Sequence, residues 1–176
     1  MPRCRRPRRG ALSLLPSDLA SVMLLLKLCA WASMWIGAVS AWTSRPRLFW
    51  IAGGIALAAH VGLSFARVHG WSHSAAMEAT ALQVEAVSGF RSGGGLWFNY
   101  LFLAHWAWVA WRWDHLGRFG RRVWWGGFLF MGFNAAVVFV PVPARWLGVA
   151  WTAFAVASAL RDGRRRGPSG SAGQPA

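Results

Sequence analysis

Acidic residues are nearly missing from this chain. Its 176 residues include five aspartates and glutamates against 19 lysines and arginines, and no carboxylate occurs between Asp18 and Glu78. Charged residues make up 14% of the chain, whereas a soluble domain of ordinary composition carries about 25%. Since 56% of the residues are hydrophobic and the mean hydropathy is +0.35, the sequence cannot cover a fold with a water-exposed surface.

Lysine and cysteine are also scarce. Lys27 is the only lysine, and the two cysteines are Cys4, in a basic tail, and Cys29, in an apolar run. Two cysteines placed in this way make neither a disulfide framework nor a metal knuckle. They therefore leave the redox compartment open.

The motifs of several enzyme classes are missing as well. Five histidines are too few for the repeated clusters of membrane di-iron hydroxylases, and no HExxH, Walker loop or Rossmann fingerprint occurs. GLSFA, around Ser64, lacks the second glycine of a nucleophile elbow. No carboxylate lies inside an apolar run, which argues against a proton pump built on acidic relays. No complete catalytic constellation can be assembled from these residues.

Long apolar runs are what the chain does have. Crossing about 30 Å of hydrocarbon takes about 20 apolar residues in a helix. Five runs come close to this length, and they are apolar on every face rather than alternating like the strands of a membrane barrel. The sequence therefore predicts an all-α, polytopic transmembrane bundle over residues 21–160, with spans at about 21–42, 48–66, 96–111, 123–140 and 146–160.

The 14 tryptophans support this interpretation, because indoles prefer the boundary between hydrocarbon and headgroups. Nine lie near the ends of the predicted spans: Trp42, Trp50, Trp71, Trp97, Trp111, Trp113, Trp124, Trp125 and Trp146. We expect the five deeper ones to pack between helices: Trp31, Trp35, Trp106, Trp108 and Trp151.

Arginine counts predict the orientation. If the residues before the first span are outside, ten arginines in loops and in the C-terminal tail fall in the cytoplasm and three fall outside, apart from the N-terminal tail. We expect the protein to lie in a bacterial cytoplasmic membrane, with the 67–95 loop on the outer side and the C-terminus in the cytoplasm. Anionic lipid headgroups would then contact the cytoplasmic arginines. This placement accounts for the net charge of +14, so nucleic acid is not an expected partner.

The two tails complete the organisation. Residues 1–20 carry five arginines that oppose the predicted orientation, which favours a true start at Met23 and a mispredicted extension before it. The other interpretation keeps this tail inside and leaves one apolar run uncrossed. Residues 161–176 contain little to bury, and we predict that they are disordered.

The long loop at 67–95 contains a predicted amphipathic surface helix. Ser74 is its expected N-cap and Gly89 its expected C-cap. A helical projection places Met77, Thr80, Val84 and Val87 on one side and the two glutamates on the other. This pattern is typical of a short helix lying on the outer membrane surface.

Two histidines at the start of this loop form the first candidate site. His69 and His73 are spaced i, i+4, so on a continuous helix they would point the same way and could share a metal ion. A bend at the start of the surface helix would bring Glu78 to them. The alternative is that both histidines are interfacial polar groups bonded to headgroups or water.

The second candidate site is a layer of polar side chains within the spans. Counted from the outer span ends, one side chain from each of four helices reaches a similar depth: His60, His105, Asn134 and Thr152. Tyr100 and Asn99 lie just above. The sequence thus predicts an outward-opening pocket with His60, His105, Asn134 and Tyr100 as cofactor-binding residues and His60, His69, His73, Glu78 and His105 as metal ligands. The alternative is ordinary interhelical hydrogen bonding.

Two functions of different class follow. The first is a non-enzymatic membrane component, such as a subunit or assembly partner of another membrane protein. The second is a redox or metal-handling protein that binds a metal ion or haem through these histidines in the outer half of the bilayer. Both share the lipid bilayer as their surroundings.

Overall fold

The computed structural model describes residues 16–165, and this part of the chain is helical without a strand. Its six helices are α1 Pro16–Val39, α2 Pro46–Arg67, α3 His73–Ser88, α4 Gly95–Trp111, α5 Arg118–Phe133 and α6 Arg145–Arg165. Short 3-10 turns follow α1 (Ser40–Trp42) and α4 (Trp113–His115), and a π-helical turn, Asn134–Val138, extends α5.

Each predicted span corresponds to one helix, so the all-α fold class is confirmed. Three boundaries differ from the prediction by five residues, and the first is the start of α1 at Pro16, inside the predicted N-terminal tail. Helix α5 begins at Arg118, before the apolar run, and α6 continues through Arg165 into the tail predicted to be disordered. The last turn of α6 is held in place because the Arg161 guanidinium lies 4.2 Å from the centre of the Trp42 ring. The rest of both predicted tails lies outside the described residues.

Two of the helices are long and apolar enough to cross a membrane by themselves. They cover Asp18–Trp42 and Pro46–Arg67, with mean hydropathies of 1.8 and 1.7. At 1.5 Å per residue, the 17 residues of α4 are about 25 Å long, which is less than the hydrocarbon thickness of about 30 Å. The number of spans is therefore not fixed by helix length.

The five long helices form a ring. Helix α1 packs on α2, α2 on α4, α4 on α5, α5 on α6, and α6 again on α1, while α3 packs on α4. Close contact between α1 and α2 depends on glycine, since a Cβ atom on Gly53 would lie 3.2 Å from the Ser33 carbonyl oxygen and 2.8 Å from the Trp106 ring. The indole of Trp106 occupies the space that this glycine leaves.

One end of the ring carries most of the arginines, and we name it the arginine-rich end. Arg121 is buried there: it donates a 3.0 Å hydrogen bond to the Trp113 carbonyl oxygen and its guanidinium lies 4.4 Å from the centre of the Trp113 ring. Its Nη1 is 3.9 Å from a carboxylate oxygen of Asp162, which also accepts from the indole of Trp125 at 3.3 Å. These contacts connect α5, α6 and the turn after α4.

Next to this end, six aromatic residues fill the interior of the ring. We name them the indole cluster: Trp50, Trp106, Trp113, Trp124, Trp125 and Phe128. The ring of Trp50 is 1% exposed and lies 4.7–5.7 Å, centre to centre, from each of the other five. Such separations are typical of favourable edge-to-face and tilted aromatic pairs.

The cluster corrects part of the tryptophan prediction. Trp50, Trp113, Trp124 and Trp125 lie near helix ends, as expected, but they are buried against one another rather than placed at the headgroup boundary. Conversely Trp108, predicted to pack between helices, is 45% exposed. The arginine-rich end is closed by the Trp113–His115 turn, so indoles near it can face inward.

Candidate functional site

The ring is not filled at the end opposite the arginines. A cavity of about 680 Å³ opens there, bounded by α1, α2, α4, the end of α5 and one face of α3. Trp106 and Phe128, both members of the indole cluster, form its deep end. Small-molecule sites in proteins have volumes of about 300–1,000 Å³, so the cavity has the size of a ligand site.

His60 is one of the polar side chains that line this cavity. It belongs to α2, and its Nδ1 lies 2.9 Å from the carbonyl oxygen of Leu26 on α1. Because a carbonyl only accepts hydrogen bonds, Nδ1 carries the proton and donates it, which leaves Nε2 as the acceptor of the neutral ring. This bond fixes the ring orientation at the boundary between the two helices.

Asn134 lines the same cavity from the π-helical turn. The backbone N–H of Phe139 donates to the Asn134 carbonyl at 3.0 Å, five residues back, which widens the helix at this point. The side-chain Nδ2 donates to the Phe130 carbonyl oxygen at 2.8 Å, which leaves Oδ1 as its acceptor. Single π turns inside α-helices are frequent at functional sites.

Tyr100 lies where α4 meets the cavity. Its hydroxyl is 3.1 Å from Nδ1 of His73, and the two rings stack with their centres 5.8 Å apart. Three of the four residues predicted to bind a cofactor, His60, Asn134 and Tyr100, therefore line one cavity. His73, which contacts Tyr100, is not itself one of the lining residues.

His69 and His73 do not share a helix, which corrects the i, i+4 argument. Helix α2 ends at Arg67, and both Gly70 and Trp71 adopt left-handed backbone angles, with φ of 56° and 59°. A bulky residue rarely adopts this conformation, and strain of this kind is concentrated at functional segments. The break separates the imidazoles: His69 packs against Phe65 and lines the cavity, while His73 begins α3.

The same segment changes the predicted N-cap. Ser72, not Ser74, caps α3, because its extended backbone lets its hydroxyl accept from the Ala75 N–H at 3.2 Å. Gly89 is the C-cap, as predicted, with φ of 74°. Burial at this loop lowers the pKa of the His69 imidazole below its ordinary value.

Glu78 lies away from the histidines. Its carboxylate pairs with Arg91, and so does that of Glu85, at 3.1 Å. Both glutamates are thereby occupied on the outer side of α3. The expectation that a bend brings Glu78 to His69 and His73 is wrong for this reason.

His105 and Thr152 do not reach the cavity. The ring of His105 contacts Trp108 and Trp124, with centres 5.7 and 5.2 Å apart, and the Thr152 hydroxyl donates to the Gly148 carbonyl of its own helix at 2.8 Å. Both lie on the helices predicted to carry them, α4 and α6, but neither is among the residues that line the cavity.

The five predicted metal ligands are therefore not brought together. Within residues 16–165, no group of three or more His, Cys, Asp or Glu side chains is placed to hold a metal ion. Of the predicted ligands, His60 and His69 line the cavity and could offer imidazole nitrogens to a bound group.

Lys27 also lines the cavity, and the sequence argument did not select it. It lies in the middle of α1, whereas the other charged residues of the described chain lie at helix ends, in loops or on α3. The signal was present in the sequence, since Lys27 is the one charged residue inside a predicted span.

No protein family, curated protein or solved structure matches the chain.

Proposed function

We propose that this chain is a non-enzymatic integral membrane protein that crosses the bilayer five times and binds a small amphipathic molecule in its cavity. Thirty large apolar side chains, from Leu19 to Leu160, are exposed among the described residues. Soluble monomers rarely expose apolar patches beyond a few hundred Å². Lipid as the surrounding solvent accounts for this surface.

The distribution of the arginines supports the proposed orientation in the membrane. Nine described arginines lie at the arginine-rich end, and three, Arg67, Arg91 and Arg145, lie at the cavity end. With the arginine-rich end in the cytoplasm, the distribution follows the positive-inside rule and places basic groups near anionic headgroups. The cavity then opens toward the outer face of a bacterial cytoplasmic membrane, beneath α3.

Site-directed labelling tests this orientation. With Cys4 and Cys29 replaced by serine, we introduce a single cysteine by Ser88→Cys at the end of α3 or by Arg164→Cys in α6. A membrane-impermeant maleimide applied to intact cells should label Ser88→Cys at once and Arg164→Cys only after permeabilisation. The reverse pattern would refute the orientation, and labelling of both or of neither in intact cells would refute the three spans proposed between these two positions.

The cavity is the observation that supports a binding role. It combines apolar walls with hydrogen-bonding groups from four helices and the π-helical turn, the composition typical of small-molecule sites. Among the described residues its lining includes no carboxylate, which supports a binding role over acid–base catalysis by carboxyl groups.

Native mass spectrometry of the protein released from detergent micelles tests this role. We expect a retained small molecule on the wild-type chain. Ser64→Phe fills the cavity from α2 and should remove it, while Ala58→Phe, an exposed position of the same helix outside the cavity, should retain it. Equal occupancy in both variants would show that the bound molecule lies elsewhere.

Metal or haem binding is the alternative, and it rests on His60 and His69 in the cavity lining. Elemental analysis and an optical spectrum of the purified protein separate it from the first proposal. A stoichiometric metal or a haem band that disappears in His60→Ala would establish it in place of the non-enzymatic role.

A further inference from the structure

Lys27 places a cationic group in the cavity. It is the twelfth of the 24 residues of α1, about 22 Å along the helix from Trp42 at the arginine-rich end. A charged side chain at such depth in a bilayer is costly and usually faces a partner or a polar cavity. Within residues 16–165, Lys27 makes no ion pair.

Among residues 16–165, the lining of the cavity offers no negative charge to balance it. Its polar lining consists of hydroxyls, carboxamides, two imidazoles and this one ammonium group. The nearest acidic residue along α1 is Asp18, nine residues away, or about 13 Å along the axis. Lys27 is itself an exposed residue at the edge of the cavity, and an occupant that supplies the missing anion would gain a charge-assisted hydrogen bond there.

The remaining walls are apolar and run from Lys27 toward the indole cluster. Leu57, Phe102 and Trp106 are among the side chains along this path. At about 30 Å³ for each water-sized group, 680 Å³ holds roughly 20 non-hydrogen atoms. One long acyl chain with a small headgroup is of this size, and a two-chain phospholipid is far larger.

We propose that the occupant of the cavity is an anionic amphiphile with a single acyl chain, whose headgroup pairs with Lys27. This inference rests on the proposed binding function and names its ligand class. The anion could be the carboxylate of a fatty acid or the phosphate of a lysophospholipid. The acyl chain lies along the apolar wall with its end toward Trp106 and Phe128.

The neighbours of Lys27 fit this placement. Leu26, the preceding residue, accepts the hydrogen bond from His60, so the imidazole lies at the same level on the adjacent helix. Asn134 adds an amide group from the π-helical turn. The cavity that Lys27 lines thus also offers polar groups of α2 and of the π-helical turn.

Binding measurements with defined probes test the proposal. The full-length, delipidated protein is titrated in detergent with palmitate, with lysophosphatidylglycerol and with hexadecanol, which has the palmitate chain length but no charge. Native mass spectrometry gives the stoichiometry and Kd. We expect one site on the wild-type chain, and at least one of the two anions should bind about tenfold or more tightly than hexadecanol. The tighter anion identifies the headgroup.

Three variants separate charge from fold. Lys27→Gln should remove the preference for the anion and leave hexadecanol binding unchanged, whereas Lys27→Arg should keep the preference. Arg45→Gln removes a positive charge at the arginine-rich end and should have no effect on either Kd. The hexadecanol Kd also reports whether the cavity is intact in each variant.

Two outcomes would refute different statements. If the wild-type chain and Lys27→Gln bind all three probes equally, the cavity binds amphiphiles whether or not they carry a charge. The proposal of an anionic ligand is then wrong. If no probe binds to the wild-type chain and Ser64→Phe retains whatever the purified protein carries, the proposed binding function itself fails.

Discussion

A double-mutant cycle on Arg121 and Asp162 tests how the arginine-rich end holds α5 and α6 together. The side chains of these residues are 7% and 14% exposed, and their charged groups lie 3.9 Å apart. Arg121→Met removes the cation and keeps an apolar stem of similar length. Asp162→Asn removes the anion and keeps the shape of the side chain.

The structure sets the expected magnitudes. At an effective dielectric constant of about 20, two unit charges 3.9 Å apart attract each other by about 4 kcal/mol, and desolvation offsets much of this. Arg121→Met leaves a mostly buried carboxylate without its cation, so we expect a loss of about 3 kcal/mol. Asp162→Asn should cost about 2 kcal/mol, because Arg121 keeps the Trp113 carbonyl and ring.

Unfolding in mixed micelles with increasing SDS, followed by far-ultraviolet circular dichroism, measures each free energy. The double variant should cost about 3 kcal/mol rather than the sum, which gives a coupling energy of about 2 kcal/mol. Additive losses, with coupling below about 0.5 kcal/mol, would refute the assignment of this pair as the connection between α5 and α6. Arg122→Met, on an exposed position of α5, is the matched control.

Three further predictions concern packing, capping and pH. Gly132→Val would place its side chain inside the Trp151 ring and should destabilise the fold by about 3 kcal/mol in the same SDS assay, whereas Gly126→Ala, in open space, should change stability by less than about 1 kcal/mol. Ser72→Ala should cost α3 about 1 kcal/mol, seen as faster amide exchange confined to its first turn; unchanged exchange would contradict the cap. Because burial lowers the pKa of His69 below its ordinary value of 6.5, its contribution to stability is present above that value and is lost at lower pH, as the pH falls through the lowered pKa of the folded state. His69→Gln should therefore flatten the fall in Tm on acidification.

The positions of the helices could be read from the sequence because each apolar run is bounded by arginine, proline or glycine. Their ends could not, because contacts outside the run decide them. Helix α6 continues past Leu160 since Arg161 stacks on Trp42 and Asp162 accepts from Trp125. Such partners, more than 100 residues apart in the first case, are invisible to a local pattern.

The cavity could be predicted in part for a similar reason. Counting residues from a span end gives height but not direction, and each step along a helix turns the side chain by about 100°. His60 and Asn134 share both height and direction, whereas His105 is one step from the cavity-lining Trp106 and faces other rings. A helical projection of α4 from Tyr100 would have separated them.

The left-handed pair Gly70 and Trp71 shows a second limit. Two histidines spaced as in HxxxH can share a metal ion only where the helix is continuous. In this sequence Gly70 is the one residue between them that indicates a break in the helix. The same glycine places His69 at the cavity and His73 on Tyr100.

The indole cluster closes the cavity on the side that faces the arginine-rich end. Trp50, Trp106, Trp124 and Phe128 are each about 1% exposed and occupy the whole interior between the cavity and the arginine-rich end. Under the proposed binding function, a bound molecule would therefore exchange on the side of the cavity away from the arginine-rich end, which in the proposed orientation is the outer leaflet. Passage across the membrane would require these rings to part.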